Sequence, residues 1–235
     1  MDREAGKIQS EFDAYRNSYS DAVNGSIAFS GLKVDFFIRA KAARLVDLLA
    51  ENVGDPKDLS ILDVGCGVGT YHPLLAGSVG QITGVDPSAE CIAEAKANNP
   101  RVDYQTYDGE KIPYPDGSFD ASFAICVMHH VPVPNWATFV SEMRRVTRPG
   151  GVVMLFEHNP YNPLTQRAVS NCPFDADAVL LSMRTAKDYL RASGMTIVEG
   201  RYILNVPSIT GIARRIDDAL GVLPTGAQYY VVARR

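Results

Sequence analysis

Four cysteines are all that the 235 residues contain, and none pairs as C-x-x-C or stands at zinc-finger distance from a histidine. That spacing excludes a disulfide scaffold and a metal set readable along the chain, so reduced thiols, a cytoplasmic location and a metal-independent reaction are expected. Charge is also sparse. Charged residues make up 21% of the chain and the net charge is -4, which gathers no polyanion. The basic pairs Arg144-Arg145, Arg214-Arg215 and Arg234-Arg235 are too short for a nucleic-acid surface, and no nucleic-acid partner is expected. No apolar run approaches the roughly 18 residues that span a bilayer. Met1 to Tyr19 has no apolar stretch of the kind that marks a signal peptide. Repeats and low-complexity segments are absent as well. What remains is a 46% hydrophobic chain, enough for one domain with a substantial core.

Along that chain, short apolar runs alternate with helical patterns. Residues 1–35 are polar, with Phe12, Tyr15 and Tyr19 on one helical stripe, and are expected to form a lid or cap. An amphipathic helix follows from Phe36 to Leu49. Strands are expected at 61–64, 81–85, 102–106, 119–125 and 152–156, with helices near 71–76, 88–97 and 135–147 between them. This alternation predicts an α/β fold: a single doubly wound, Rossmann-like and mostly parallel sheet. The cofactor core should occupy 36–157. Residues 158–235 should shape the acceptor site and supply the final strands at 195–204 and 229–233. Pro160, Pro163 and Pro173 make 158–183 read as irregular.

The most informative run is Ile61-Leu-Asp-Val-Gly-Cys-Gly-Val-Gly69, three glycines where a strand meets a helix. Lacking Cβ atoms, such a turn is tight and lets a ligand lie on its backbone. The spacing is G-x-G-x-G, whereas a dinucleotide turn needs G-x-G-x-x-G. Asp63 suits an ammonium group better than a pyrophosphate. Asp86, 17 residues beyond Gly69, closes the next strand, where a carboxylate accepts hydrogen bonds from ribose hydroxyls. These groups favour a ligand with a ribose, a positive end and no phosphate.

The run resembles motif I of class I S-adenosylmethionine-dependent methyltransferases. Asp86 matches that family's ribose-binding acid. The segment Tyr107-Asp108-Gly109 through Asp120 is similar to the link between its third and fourth strands, and Met143 to Gly151 to its turn before strand five. The resemblance covers about residues 59 to 157. It implies seven strands with an antiparallel last one, and S-adenosylmethionine as cofactor. By the same resemblance Asp63, Gly65, Gly67, Gly69, Asp86, Pro87, Asp108, Gly109, Ala124 and Ile125 bind that cofactor, Asp108 through the adenine amino group.

The resemblance also implies that Ala124 to Pro132 borders the sulfonium. A histidine there is suited to deprotonate an oxygen acceptor, because its ordinary pKa lies near working pH. His129 and His130 are therefore the candidate bases; in a turn, the two should point apart. Glu157 and His158 form a second candidate pair, with Glu157 facing the pocket mouth. Asn159-Pro-Tyr echoes the signature of nucleic-acid amino-methylating enzymes but stands after strand five, not strand four, and reads as a rigid loop. The expected function is methyl transfer to a small molecule, oxygen favoured. The alternative is a cofactor-binding regulatory or scaffold module without chemistry. Acceptor identity and oligomeric state are left open.

Overall fold

The structure is a computed structural model describing residues 19–207 and 209–235; Phe12 and Tyr15 of the expected lid lie outside it. Helices α1 (Tyr19–Ile27) and α2 (Val34–Asn52) lead into β1 (Ser60–Val64), α3 (His72–Leu75), β2 (Gln81–Asp86), α4 (Ala89–Asn98) and β3 (Asp103–Thr106). Next come β4 (Phe119–Ile125), α5 (Trp136–Val146), β5 (Thr147–His158), α6 (Pro163–Ser170) and α7 (Met183–Ala192). The chain closes with β6 (Thr196–Ile203), α8 (Gly211–Leu220) and β7 (Gln228–Arg234). Seven strands form one sheet in the order β3-β2-β1-β4-β5-β7-β6. β7 lies antiparallel to both β5 and β6, and the remaining pairs are parallel. The fold is the expected Rossmann-like one. Among the described residues no helix is long and apolar enough to cross a membrane.

Alternation along the strands splits the core into two layers. Val153, Leu155, Tyr229 and Val231 face α5 and α7, where Trp136, Phe139, Val140, Met143 and Leu190 are buried. Met154, Phe156, Tyr230 and Val232 face the other way, onto Leu45, Leu48 and Leu49 of α2 and Leu75 of α3. Strands covered on both faces carry continuous apolar runs, as these do. Each fully buried Leu or Phe contributes about 1.5–3 kcal/mol of transfer free energy.

Two stretches differ from the sequence reading. Residues 158–183 are not irregular throughout, for they contain α6. The Asn162 side chain accepts from the Leu164 and Thr165 N–H groups, and Pro163 occupies the first helical turn. Proline there starts a helix instead of breaking one, since its missing N–H would be unpaired in any case. The turn expected at Pro149-Gly150-Gly151 is absorbed into β5, which begins at Thr147 and slips register against β4 between Phe119 and Ala121.

The sheet reverses its winding between β1 and β4. The chain leaves β1 toward β2 on one side and leaves β4 toward β5 on the other. At such a point the strand ends diverge and open a crevice at their carboxyl ends. Both the glycine turn (65–69) and the 126–131 segment emerge there.

Candidate active site

The glycine turn is fixed by its neighbours. Gly65 and Cys66 donate to the Val85 carbonyl at 2.8 and 3.1 Å. Gly65 has φ +79°, and a Cβ on it would sit 2.5 Å from Val127 Cγ1. Only glycine therefore lets the turns after β1 and β4 touch. The Gly67 N–H donates to Asp86 Oδ2 at 2.9 Å, and no atom lies within 4 Å of where its Cβ would project. Asp86 Oδ1 accepts from the Ser88 N–H at 2.9 Å, while the Ser88 hydroxyl caps α4. Further along, Asp108 Oδ1 accepts the Glu110 and Lys111 N–H groups, and these bonds hold its carboxyl below the usual range. Asp63 is only 2% exposed and accepts from His72 Nε2 at 3.0 Å; the other ring nitrogen of His72 bonds Tyr104. Burial raises the Asp63 pKa, and His72 partly offsets this.

One cavity of about 950 Å³ runs from these groups to the ends of β4 and β5. Asp63, Gly65, Gly67, Asp86, Pro87, Asp108, Gly109 and Ile125 line its first part, and His129, His130 and His158 line its second. Three expected site residues do not reach it. Gly69 packs against Tyr104 and Asn99 instead. Ala124 points into the opposite core layer from Ile125, as strand alternation requires. Glu157, expected at the mouth, is 1% exposed and lies behind His129. The volume suits a nucleoside-sized ligand together with a second molecule. Gly67 leaves backbone open to the first part, and Asp86 stands beside it, so these residues fit the ribose and sulfonium ligand inferred from sequence. Beside His158 and Cys126, the buried Gln228 Oε1 has no partner among the described residues and is ready to accept from a ligand.

At the second end the two histidines do not diverge. They lie in a 3₁₀ turn, Met128–His130, with ring centroids 4.1 Å apart. Both Nε2 atoms face Asp175 Oδ1, at 3.6 Å from His129 and 3.5 Å from His130. His129 Nδ1 meets Glu157 Oε2 at 2.5 Å, and Glu157 Oε1 accepts from the Met128 and Val127 N–H groups at 2.8 and 3.2 Å. Burial would depress the His129 pKa, but the Glu157 and Asp175 carboxylates outweigh it and push the ring up to about 10. His130 goes down to about 3, through burial and then the positive charge of His129.

Sequence reasoning missed Asp175, Lys41 and Cys126. Asp175 has no signal, because it stands 45 residues past His130 in a proline-rich stretch. Lys41 did have one: it falls four residues before Leu45, on the apolar face of α2, and is 5% exposed. Its ammonium donates to Cys126 Sγ at 3.4 Å. Cys126 lines the cavity at φ +58°, a left-handed conformation costly for a residue with a side chain. Burial raises its thiol pKa, yet Lys41 and then His158 prevail and bring it to about 7. Iodoacetamide is therefore expected to label Cys126 well ahead of buried Cys66, Cys91 and Cys172, with the rate half-maximal near pH 7. Lys41→Met should move that midpoint upward. Equal labelling of all four thiols in peptide mass spectra would contradict the assignment.

Residues 62–155, from β1 to the middle of β5, match the family described as "Methyltransferase domain". Residues 62–155 carry a methyltransferase domain, and the fold around it is that of class I S-adenosylmethionine-dependent methyltransferases. A relative of this methyltransferase domain is a sterol 24-C-methyltransferase of Gibberella zeae, 34% identical over 122 residues, or 49% of this chain and 32% of that one. The chain spans about a third of the length of the first curated relatives it matches. Among solved structures, a SAM-dependent methyltransferase of Thermotoga maritima titled a possible histamine N-methyltransferase has TM-score 0.67 at 17% identity, covering 97% of this chain and 99% of that one. The [4+2]-cyclase SpnF has TM-score 0.59 at 23% identity, covering 82% and 81%. These structural likenesses concern the fold alone.

Proposed function

We propose that the protein transfers the methyl group of S-adenosylmethionine to an oxygen of a small molecule with a largely apolar body. The observation that carries this reading is the single cavity joining the Gly67–Asp86 end to the His129–His130 end. When bound, the cofactor supplies an electrophilic methyl carbon on a sulfonium. Gly65, Gly67 and Asp86 hold its ribose end, Asp108 and Gly109 frame the adenine, and Ile125 and Cys126 lie beside the path between the two ends. Phe29, Phe36, Phe37 and Phe174 make the cavity wall apolar, which excludes water and favours an aromatic or lipid-like acceptor. A sterol-acting relative is consistent with such a body. His129 and His130 both turn Nε2 toward this end of the cavity, where they orient the acceptor hydroxyl and assist its deprotonation.

The test is calorimetric titration with S-adenosylhomocysteine against an NAD control. Labelled methyl transfer onto a panel of apolar alcohols, phenols and amines follows. Micromolar binding of the first ligand, no binding of NAD, and turnover confined to the hydroxyl compounds are expected. His130→Ala should cut kcat with little change in S-adenosylhomocysteine affinity. Binding without turnover on any acceptor favours the non-catalytic module. Amine-only turnover removes the oxygen assignment.

A further inference from the structure

The second end of the cavity carries three groups aimed at one point. One ligand atom from each of His129, His130 and Asp175 lies within 4.8 Å of the others, both Nε2 atoms face Asp175 Oδ1, and the side chains are 1%, 19% and 12% exposed. The two histidine–carboxylate distances, 3.6 and 3.5 Å, are those of ion pairs and longer than an ordinary N–H···O hydrogen bond. They match neighbouring ligands around an ion bound at about 2.0–2.1 Å in tetrahedral geometry, where ligand atoms stand roughly 3.4 Å apart.

Proton placement points the same way. Glu157 Oε2 accepts from His129 Nδ1, so in a neutral ring Nε2 carries the lone pair. That lone pair faces Asp175 Oδ1, and so does Nε2 of the adjacent histidine. Three electron-rich atoms converging on one point need a positive charge between them, a proton or a metal ion. A carboxylate on the far nitrogen is also the usual support behind a metal-bound histidine, fixing tautomer and ring orientation.

We infer that His129, His130 and Asp175 bind a divalent first-row transition ion of the zinc type, with Glu157 as the positioning carboxylate behind His129. Imidazole and carboxylate donors suit that class of ion and not magnesium or calcium, which take oxygen ligands. The two negative charges of Asp175 and Glu157 balance the ion, leaving the cluster neutral. All three ligands border the cavity, so the remaining coordination positions open toward the proposed acceptor. An ion there would act as a Lewis acid and lower the pKa of a hydroxyl presented to it. That role rests on the methyl-transfer reading, whereas the binding of the ion does not.

The experiment is titration of chelator-stripped protein with Co²⁺, following d–d absorption, then displacement by Zn²⁺. S-adenosylhomocysteine binding is measured on the same samples. One Co²⁺ per chain with a visible spectrum of low coordination number is expected. Asp175→Asn and His130→Gln should each weaken it at least ~100-fold, and Glu157→Gln ~10–100-fold, while S-adenosylhomocysteine affinity stays within about twofold in the two ligand variants. Should Asp175→Asn fail to fold, His130→Gln at the more exposed histidine decides. No Co²⁺ uptake by wild type that binds S-adenosylhomocysteine overturns the metal site and leaves an imidazolium between two carboxylates. Equal uptake by wild type and both ligand variants overturns it too. Co²⁺ binding without S-adenosylhomocysteine binding overturns the methyl-transfer reading and leaves the metal site standing.

Discussion

Asp86→Ala is expected to weaken S-adenosylhomocysteine binding by about 1–3 kcal/mol, roughly 5- to 150-fold in Kd, the scale for hydrogen bonds to a charged acceptor. Part of the loss is direct, from the carboxylate that would accept the ribose hydroxyls. Part is indirect, because Asp86 also accepts from Gly67 N–H and Ser88 N–H and so ties the glycine turn to the start of α4. Asp86→Asn separates the two in part. The amide keeps the side-chain shape and one acceptor oxygen, so it holds one of the two backbone N–H groups while losing the charge. If ribose recognition dominates, Asn falls close to Ala in affinity while melting above it. If turn anchoring dominates, Asn recovers part of the affinity. Unchanged affinity in Asp86→Ala would remove the ribose role altogether.

The parts of the fold that the sequence made legible share one property: their signal is local. Ile61 to Val64 and Gln81 to Asp86 are mostly apolar runs ended by glycine or acid, Phe119 to Ile125 is a third mostly apolar run, and each is a strand. The positive φ at Gly65, Gly67 and Gly69 follows from the same kind of local reading. Element α6 was hidden because Pro163 reads equally as a helix breaker and as a helix start, and the Asn162 cap before it decides the matter. At the site, Asp86, Asp108 and the paired histidines stand in recognisable contexts. Asp175 does not. It arrives through the loop after α6, and no spacing in the chain encodes that return. Glu157 was read as a mouth residue because it sits near the end of β5. Strand alternation would have sent it inward: Val153 and Leu155 are in the buried layer facing α5 and α7, and Glu157 continues that series.

That inward turn makes the loss of Glu157 costly to the fold. In the metal-free protein Glu157→Ala is expected to destabilise by about 3–5 kcal/mol, the range for removing one partner of a buried ion pair. Three groups lose their acceptor together: the His129 ring, the Val127 N–H and the Met128 N–H. With both side chains of the pair 1% exposed, water does not replace the lost bonds. For a chain of this size that is a fall of roughly 10 °C in Tm, at about 2–4 °C per kcal/mol. Glu157→Gln should cost less, since its amide oxygen still accepts from Met128 N–H, and what it loses is the charge and the acceptor for His129 Nδ1. The decisive variant is the double mutant Glu157→Ala/His129→Ala. Removing the orphaned imidazole should recover stability relative to Glu157→Ala alone, because an empty apolar space is cheaper than a buried, uncompensated charge. If instead the two losses simply add, the pair is not coupled and His129 is not held as a cation by Glu157. Denaturant melts of the four proteins at neutral pH with chelator present separate these outcomes. They also fix how much of the 126–131 turn, and with it the acceptor end of the cavity, depends on a carboxylate that never touches the cavity itself.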